Sequence, residues 1–193
     1  MKRLPNILTI SRIVLSPVFL FLFLSENEIM RGLSIVVFTF AALTDFFDGY
    51  LARKWEADSE FGNFVDPLAD KILTFTGFFA FSYLRPDIFP YWIFFIIIGR
   101  DILITGMRML FKRQGKSLKT SYSAKLKTAV QLVFIYISLV SFLAIAIPVL
   151  SEFATTYLFN SGVLYWMYIF VMIFTVYTAI EYIIRNNTSY SRE

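Results

Sequence analysis

Four aspartates stand inside apolar stretches of the sequence, where a carboxylate costs several kcal/mol unless it is compensated. Asp45 and Asp48 are three residues apart, and Asp66 and Asp70 are four apart. Each spacing places both carboxylates on one face of a helix. A cluster of oxygen donors suits hard cations such as Mg²⁺, Mn²⁺ or Ca²⁺. Four carboxylates are enough for two ions, and two-ion sites serve phosphoryl displacements.

The composition excludes most other kinds of catalytic site. The chain of 193 residues has no cysteine and no histidine, which excludes thiol catalysis, zinc–thiolate sites and Ser-His-Asp triads. Catalysis must therefore rest on carboxylates, lysine, arginine, tyrosine or hydroxyl groups. The net charge is +4, but the basic residues flank apolar runs, so we expect no nucleic-acid partner.

The elements that must position the aspartates are membrane spans. Hydrophobic residues make up 58% of the chain and charged residues 17%, which is too apolar for a soluble domain. We predict an all-α integral membrane protein in which residues 1–193 form a single multi-pass catalytic domain. Six apolar stretches are long enough to cross a bilayer as transmembrane helices: Ile7–Leu24, Gly32–Arg53, Phe61–Leu84, Ile88–Phe111, Ala124–Ile147 and Val163–Ile184.

The second and third predicted spans run in opposite directions across the membrane. Asp45 lies eight residues before Arg53, and Asp70 lies eight residues after Gly62, so both are about 12 Å from the connecting loop. The other two aspartates match in the same way at about half that depth. Antiparallel packing would therefore bring all four carboxylates to one level.

Lysine and arginine predict the direction of the spans. The loops on one side offer only Arg31 and Arg85. By the positive-inside rule, the other side, with both termini and residues 112–127, is cytoplasmic. We expect a protein of the cell membrane, plasma or inner, whose active site faces the cytoplasm. The basic residues on that side are Lys2, Arg3, Arg53, Lys54, Lys112, Arg113, Lys116, Lys119, Arg185 and Arg192.

The first residues carry a separate signal. Asn6, Thr9 and Arg12 recur at every third position and share one helical face, opposite the isoleucines and the leucine. Two interpretations stay open, a role in the site and an interfacial lead-in helix. The predicted fold includes such an N-terminal interfacial helix.

The aspartates belong to a longer pattern, D-x2-D-G-x2-A-R-x8-G-x3-D-x3-D, which the chain meets at every fixed position from Asp45 to Asp70. The pattern resembles the signature of the CDP-alcohol phosphotransferase family, whose members are multi-pass, usually with six helices, and usually dimeric. The resemblance implies that Asp45, Asp48 and Asp66 bind divalent metal. It implies that Asp70 both binds metal and acts as the general base, and that the cofactor is Mg²⁺ or Mn²⁺, as two ions.

The same resemblance implies a pocket for the CDP group. Gly49, Ala52 and Arg53 line it in the family, and we place Asp48 and Gly62 beside them. Small side chains clear a backbone surface for a bulky group or for close helix packing. The forked guanidinium of Arg53 suits phosphate oxygens.

Most of residues 1–131 resembles one branch, the phosphatidylglycerophosphate synthases. The likeness includes Pro5 to Arg12, Gly99 to Asp101, Met107 with Arg108, and Ser123 to Ala129. One departure is Asp101, where that branch has Glu. The resemblance implies that the phosphatidyl group of CDP-diacylglycerol is transferred to glycerol 3-phosphate, with release of CMP, by a homodimer among membrane lipids.

An acceptor that carries a phosphate needs fixed cations. Asp101 lies seven residues before Arg108, on the same helical face, and is placed to orient it. For residues 112–127 the alternative is a basic loop that attracts anionic lipid headgroups. The candidates for the acceptor phosphate are Arg108 and Lys125, followed by Arg100, Lys127 and Ser121.

Three other functions remain open. The first is the same transfer reaction within the family with another acceptor, namely inositol phosphate, serine, choline or phosphatidylglycerol. The second is a divalent-cation transporter, and the third is a non-catalytic helical scaffold. The sequence disfavours a transporter, because the aspartates lie near one membrane face and Arg53 would repel a passing cation.

Overall fold

The structure is a computed structural model that describes residues 4–55, 60–113 and 122–190, with side chains at residues 10–44, 69, 71–111, 122–123 and 125–185. Every regular element in these residues is helical. The elements are α1 (Leu4–Phe23), α2 (Glu28–Trp55), α3 (Glu60–Leu84), α4 (Tyr91–Arg113), α5 (Tyr122–Ala146), α6 (Pro148–Phe153), a π-helical segment (Ala154–Phe159) and α7 (Val163–Tyr190).

In the described residues, six long helices coincide in order with the six apolar stretches. The helices extend beyond the apolar limits where polar residues continue them. At α2, for example, the side chain of Asn27 accepts hydrogen bonds from the backbone N–H groups of Ile29 (2.9 Å) and Met30 (3.3 Å). Such a cap satisfies the free donors of the first turn and fixes where the helix begins.

The N-terminal interfacial helix is not a separate element, so that part of the predicted fold is wrong. The turns from Pro5 to Arg12 belong to α1, which runs without a break to Phe23. No glycine or proline stands between Asn6 and Ser16 to end the helix, and the chain therefore enters the first apolar stretch directly.

The expected loop between the fifth and sixth apolar stretches contains further helix. Pro148 stands in the first turn of α6, where its missing N–H is not needed. The chain continues through the π-helical segment and turns at Gly162, whose φ of 80° lies in the left-handed region that favours glycine. Hydropathy did not reveal this helix, because α6 buries none of its residues.

The helices pack in two groups that share α3 and α5. Helix α1 packs on α2 and α3, and α7 packs on α4 and α5, while α5 also contacts α2 and α3. Helices α5 and α7 run antiparallel. Ser123, near the start of α5, contacts Glu181 near the end of α7, and Phe134 farther along α5 contacts Tyr168 near the start of α7.

One half of the bundle is filled by buried aromatic rings, which we call the aromatic core. The rings of Phe134 and Tyr168 stack with centroids 5.4 Å apart, and Phe78 stacks on Tyr168 at 5.7 Å. On α3, Phe78 lies eight residues beyond Asp70, about 12 Å farther along the helix. The aromatic core comprises Phe19, Phe23, Phe38, Phe78, Phe81, Phe89, Phe134, Phe142 and Tyr168.

Two of the described helices are long and apolar enough to cross a membrane. They are Lys125–Ala146 of α5, with a mean hydropathy of 2.3, and Val163–Arg185 of α7, with 1.9. Their outer surfaces stay apolar and exposed: Val133 and Phe170 are each 58% exposed. Large exposed apolar surfaces are the expected state of side chains that face lipid rather than water.

Candidate active site

The two aspartate pairs lie on consecutive helices that contact each other. Asp45 and Asp48 belong to the second half of α2, and Asp66 and Asp70 to the first half of α3. Helical backbone at all four positions confirms that each pair shares one helix face. The side chains of the four aspartates lie outside the described residues, as do those of the predicted CDP pocket (Gly49, Ala52, Arg53 and Gly62).

The described residues that directly precede Asp45 and Asp70 face the interior of the bundle. Thr44, which precedes Asp45, is buried and donates its hydroxyl to the carbonyl of Ala41 at 2.7 Å. Ala69, which precedes Asp70, is fully buried. The turns that carry the aspartates are therefore packed on other helices at these flanking positions.

A buried ion pair joins α4 to α5. Asp101, 1% exposed, accepts two hydrogen bonds from the ammonium of Lys127, at 2.6 and 2.7 Å. Arg100 donates to the same carboxylate at 3.0 Å. A carboxylate with this many charged donors is satisfied in a site that excludes water.

The ion pair continues into α7, and we call the whole set the polar network (Arg100, Asp101, Lys127, Gln131, Thr175 and Thr178). Arg100 donates to the hydroxyl of Thr178 at 2.8 Å, and Thr178 donates to the carbonyl of Thr175. Gln131 donates to the Thr175 hydroxyl at 3.3 Å. Three helices are therefore tied together by polar contacts within one level of the bundle.

Among the described side chains around Asp101, positive charge exceeds negative charge. This carboxylate faces Lys127 and Arg100, and Lys71 lies close enough to attract it. Lys71 directly follows Asp70 on α3, which places the polar network beside the turns that carry the aspartates. Three cations around one carboxylate give a positive region that suits an anionic ligand.

The predicted acceptor residues fall into different environments. Arg100 and Lys127 belong to the polar network, and Arg108 lies over the ring of Tyr182 at 5.1 Å from the guanidinium carbon. Lys125 of α5 is exposed, whereas Lys127 is buried. The two lysines differ because positions two apart on a helix point to opposite sides. Ser121 lies outside the described residues.

Asp101 was expected to pair with Arg108, but the structure shows it paired with other residues. Asp101 contacts Arg100 and Lys127, whereas Arg108 stacks on Tyr182 of α7. Residues seven apart share a helix face but are about 10 Å apart along it. The lysine that reaches across from α5 is the nearer charge.

Of the three N-terminal candidates, the structure describes the side chain of Arg12 only. Arg12 is almost fully buried, at 2% exposure, and the hydroxyl of Ser16 donates to its backbone carbonyl at 2.8 Å. Asn6 and Thr9 lie in the first turns of α1, with side chains outside the described residues. The role of these three residues stays a prediction.

Sequence reasoning missed several polar residues that the structure brings together. Lys71, Gln131, Thr175, Thr178 and Glu181 were not among the candidates, although Glu181 accepts a hydrogen bond from Ser123. A usable signal existed for Glu181, the one carboxylate in its apolar stretch, because an ionisable group within a span marks a functional or paired position.

The donor chemistry of the aspartates fits a hard divalent cation. All four are carboxylates on adjacent helices, and the chain offers no histidine or cysteine as a competing ligand. The residues with described side chains contain no group of three or more acidic ligands. The candidate metal site therefore depends on the Asp45, Asp48, Asp66 and Asp70 positions.

Comparison with known proteins gives consistent matches. A family model described as CDP-alcohol phosphatidyltransferase matches residues 2–178. A Rickettsia typhi protein named CDP-diacylglycerol–glycerol-3-phosphate 3-phosphatidyltransferase is 40% identical over 132 residues, which cover 68% of this chain and 73% of the relative. A protein of that name from Aquifex aeolicus is 41% identical over 113 residues (58% and 62%), and one from Bacillus subtilis is 31% identical over 145 residues (69% and 74%).

Proposed function

This chain belongs to the CDP-alcohol phosphatidyltransferase family, and from that premise we propose that it transfers the phosphatidyl group of CDP-diacylglycerol to glycerol 3-phosphate. The products are phosphatidylglycerophosphate and CMP. The observation that carries the proposal is the shared name of its relatives, which are 31% to 41% identical to this chain. The complete aspartate pattern on α2 and α3 supports the same reaction.

The reaction begins with removal of a proton by Asp70. The carboxylate accepts the proton of a glycerol 3-phosphate hydroxyl, and the hydroxyl oxygen forms a bond to the β-phosphorus of CDP-diacylglycerol. The bond between that phosphorus and the CMP oxygen breaks, and CMP leaves with the electron pair. Arg53 holds the CMP phosphate and offsets the charge that develops on it.

Asp45, Asp48, Asp66 and Asp70 would hold Mg²⁺ or Mn²⁺, as two ions. When bound, such ions neutralise the charge of the pyrophosphate and align it for in-line displacement. Gly49, Ala52 and Gly62 leave room for the CDP group beside these aspartates, on the same two helices.

The acceptor phosphate binds in the positive region around the polar network. Arg108, Arg100 and Lys127 are on α4 and α5, whereas Lys125 points away from the polar network and is left out of this site. The electrostatic attraction between Lys71 and Asp101 supports placing the region beside Asp70. Asp101 keeps the two network cations in fixed positions, so that the acceptor meets charges that are already oriented.

We place the reaction in the cell membrane, in a homodimer of chains that each form one multi-pass catalytic domain. Six long helices support six spans, and the excess of lysine and arginine on one side supports cytoplasmic termini and an active site that faces the cytoplasm. CDP-diacylglycerol then enters from the inner leaflet.

Product identification tests this function. Purified protein in lipid vesicles receives CDP-diacylglycerol, Mg²⁺ and one acceptor at a time: glycerol 3-phosphate, inositol phosphate, serine, choline or phosphatidylglycerol. Mass spectrometry should find a new lipid and CMP with glycerol 3-phosphate only. A lipid product with another acceptor, and none with glycerol 3-phosphate, would refute the choice of acceptor.

A further inference from the structure

An apolar groove lies on the outside of the molecule between α5 and α7, the two helices that qualify as membrane spans. Its volume is 570 Å³, within the range of about 300–1,000 Å³ that small-molecule sites occupy. Leu126, Ala129 and Val133 of α5 form one wall, and Trp166 and Phe170 of α7 form the other. None of the lining residues that the structure describes is charged.

The groove is slightly shorter than one leaflet of the hydrocarbon core. Its α5 wall runs from Leu126 to Phe134, which is about 12 Å along the helix. Half of a hydrocarbon core is about 15 Å thick. An extended acyl chain from one leaflet therefore matches the groove along its whole length.

A cation stands at the polar end of the groove. Lys125 is the first residue of the Lys125–Ala146 span, so it lies where the apolar stretch begins. It is four residues before Ala129 and eight before Val133, and these spacings put it on the helix stripe that forms the wall. Lys125 is exposed, unlike Lys127, and an exposed lysine at this depth attracts lipid phosphate.

We infer that this groove is a binding site for a resident anionic phospholipid, with one acyl chain between α5 and α7 and the headgroup phosphate on Lys125. The lipid is not the reacting one, because the described lining of the groove contains no residue of α2 or α3, the helices that carry the aspartates. The walls favour an acyl chain over a second helix. Helix pairs in membranes approach through small side chains, whereas Trp166 and Phe170 project from this surface, at 66% and 58% exposure.

Quenching of Trp166 fluorescence reports occupancy of the groove directly. The chain has three tryptophans, so Trp55→Phe and Trp92→Phe leave Trp166 as the only reporter. Vesicles contain phosphatidylglycerol or phosphatidylcholine with brominated acyl chains. Brominated phosphatidylglycerol should quench Trp166 at about one fifth of the concentration that brominated phosphatidylcholine needs. Equal quenching by the two lipids would overturn the proposal.

Matched variants separate the groove from ordinary lipid contact. Val133→Phe fills the groove and Lys125→Gln removes the cation, so both should reduce the fivefold preference to about one. Val140→Phe is the control, because Val140 is 56% exposed on the same helix outside the groove, and it should keep the preference. A preference that survives Val133→Phe, or that Val140→Phe removes equally, contradicts the site.

Two further measurements decide whether the lipid is resident. Native mass spectrometry of the unaltered chain in detergent should show one retained phosphatidylglycerol and no retained phosphatidylcholine. Added CDP-diacylglycerol should leave the quenching by phosphatidylglycerol unchanged. Displacement by CDP-diacylglycerol would assign the groove to the substrate and overturn the proposal, whereas the proposed reaction would be unaffected.

Discussion

The aromatic core and the polar network occupy the same bundle but are built in opposite ways. In the core, rings such as Phe134 and Tyr168 pack face to face, and each such pair contributes about 0.5–1.5 kcal/mol beyond its buried area. In the polar network, Asp101 and Lys127 are almost fully buried, and burial of charges costs several kcal/mol per ion before pairing offsets it.

The buried charges indicate which end of the bundle carries the function. Apolar residues would hold α4, α5 and α7 together with less desolvation than charged ones do. A bundle that nevertheless buries Arg100, Asp101 and Lys127 beside the aspartate-bearing turns has a use for charge there. We therefore expect core substitutions to change stability alone, whereas substitutions at the polar end should change the chemistry or, where they break the buried ion pair, the stability as well.

Asp70→Asn should give the largest effect, a loss of catalytic activity without a loss of stability. Loss of the base should reduce CMP release by about a thousandfold, within the range for general acid–base groups. The unfolding transition should stay where it is, because the amide has the same shape. The measurement is release of labelled CMP from CDP-diacylglycerol. Asp87→Asn, an exposed aspartate between α3 and α4, is the control and should keep full activity; retained turnover in Asp70→Asn would contradict the assignment.

Asp101→Asn should show that the polar network also contributes to the stability of the bundle. Removal of the carboxylate leaves Lys127 and Arg100 buried without their counter-charge, which should cost about 3 kcal/mol of unfolding free energy. Reversible unfolding in mixed micelles measures the loss. Glu152→Gln on α6 is the matched control, since Glu152 is exposed. If the two variants unfold alike, the ion pair does not stabilise the bundle.

Phe134→Leu tests whether the aromatic core contributes to stability without affecting catalysis. The variant loses the stacked contacts with Tyr168 and Phe78 and should lower the unfolding free energy by about 1 kcal/mol. The KM for glycerol 3-phosphate and kcat should not change, because the substituted ring lies in the core. A large drop in kcat with an unchanged unfolding free energy would show that the two regions are not separate in function.

The smallest effect concerns a surface ion pair beside the aromatic core. Arg85 donates hydrogen bonds to Asp87, and this interaction holds the pKa of the Asp87 carboxyl group below its ordinary value. A lowered folded-state pKa gives stability that is present above about pH 4 and is lost as the pH falls through the folded pKa. The carboxylate is mostly exposed, so the loss should be below about 1 kcal/mol. Asp87→Asn should abolish this part of the pH dependence in unfolding measurements between pH 2 and 6; an unchanged profile would contradict it.

The sequence predicted the helices well because length and hydropathy decide them. All six apolar stretches became long helices, and the aspartate spacing needed only helical periodicity to place each pair on one face. It did not predict α6, none of whose residues is buried. Nor did it separate the inward Lys127 from the outward Lys125, although their spacing of two already required opposite sides.

Partners across helices could not be predicted from the sequence. Lys127 is 26 positions from Asp101, and Thr178 is 78 from Arg100, so no local periodicity links them. Asp101 was expected to orient Arg108 because that relation is the local one. The metal and CDP roles of the aspartates and their neighbours remain predictions.

Binding of Mn²⁺ to the purified chain tests the central claim, that carboxylates from α2 and α3 together hold divalent metal, without reference to turnover. Electron paramagnetic resonance counts free and bound Mn²⁺ in a titration. Asp48→Asn on α2 and Asp66→Asn on α3 should each weaken binding at least about tenfold, while Asp87→Asn leaves it unchanged. Binding that survives substitution on either helix would show that the two helices do not share a metal site.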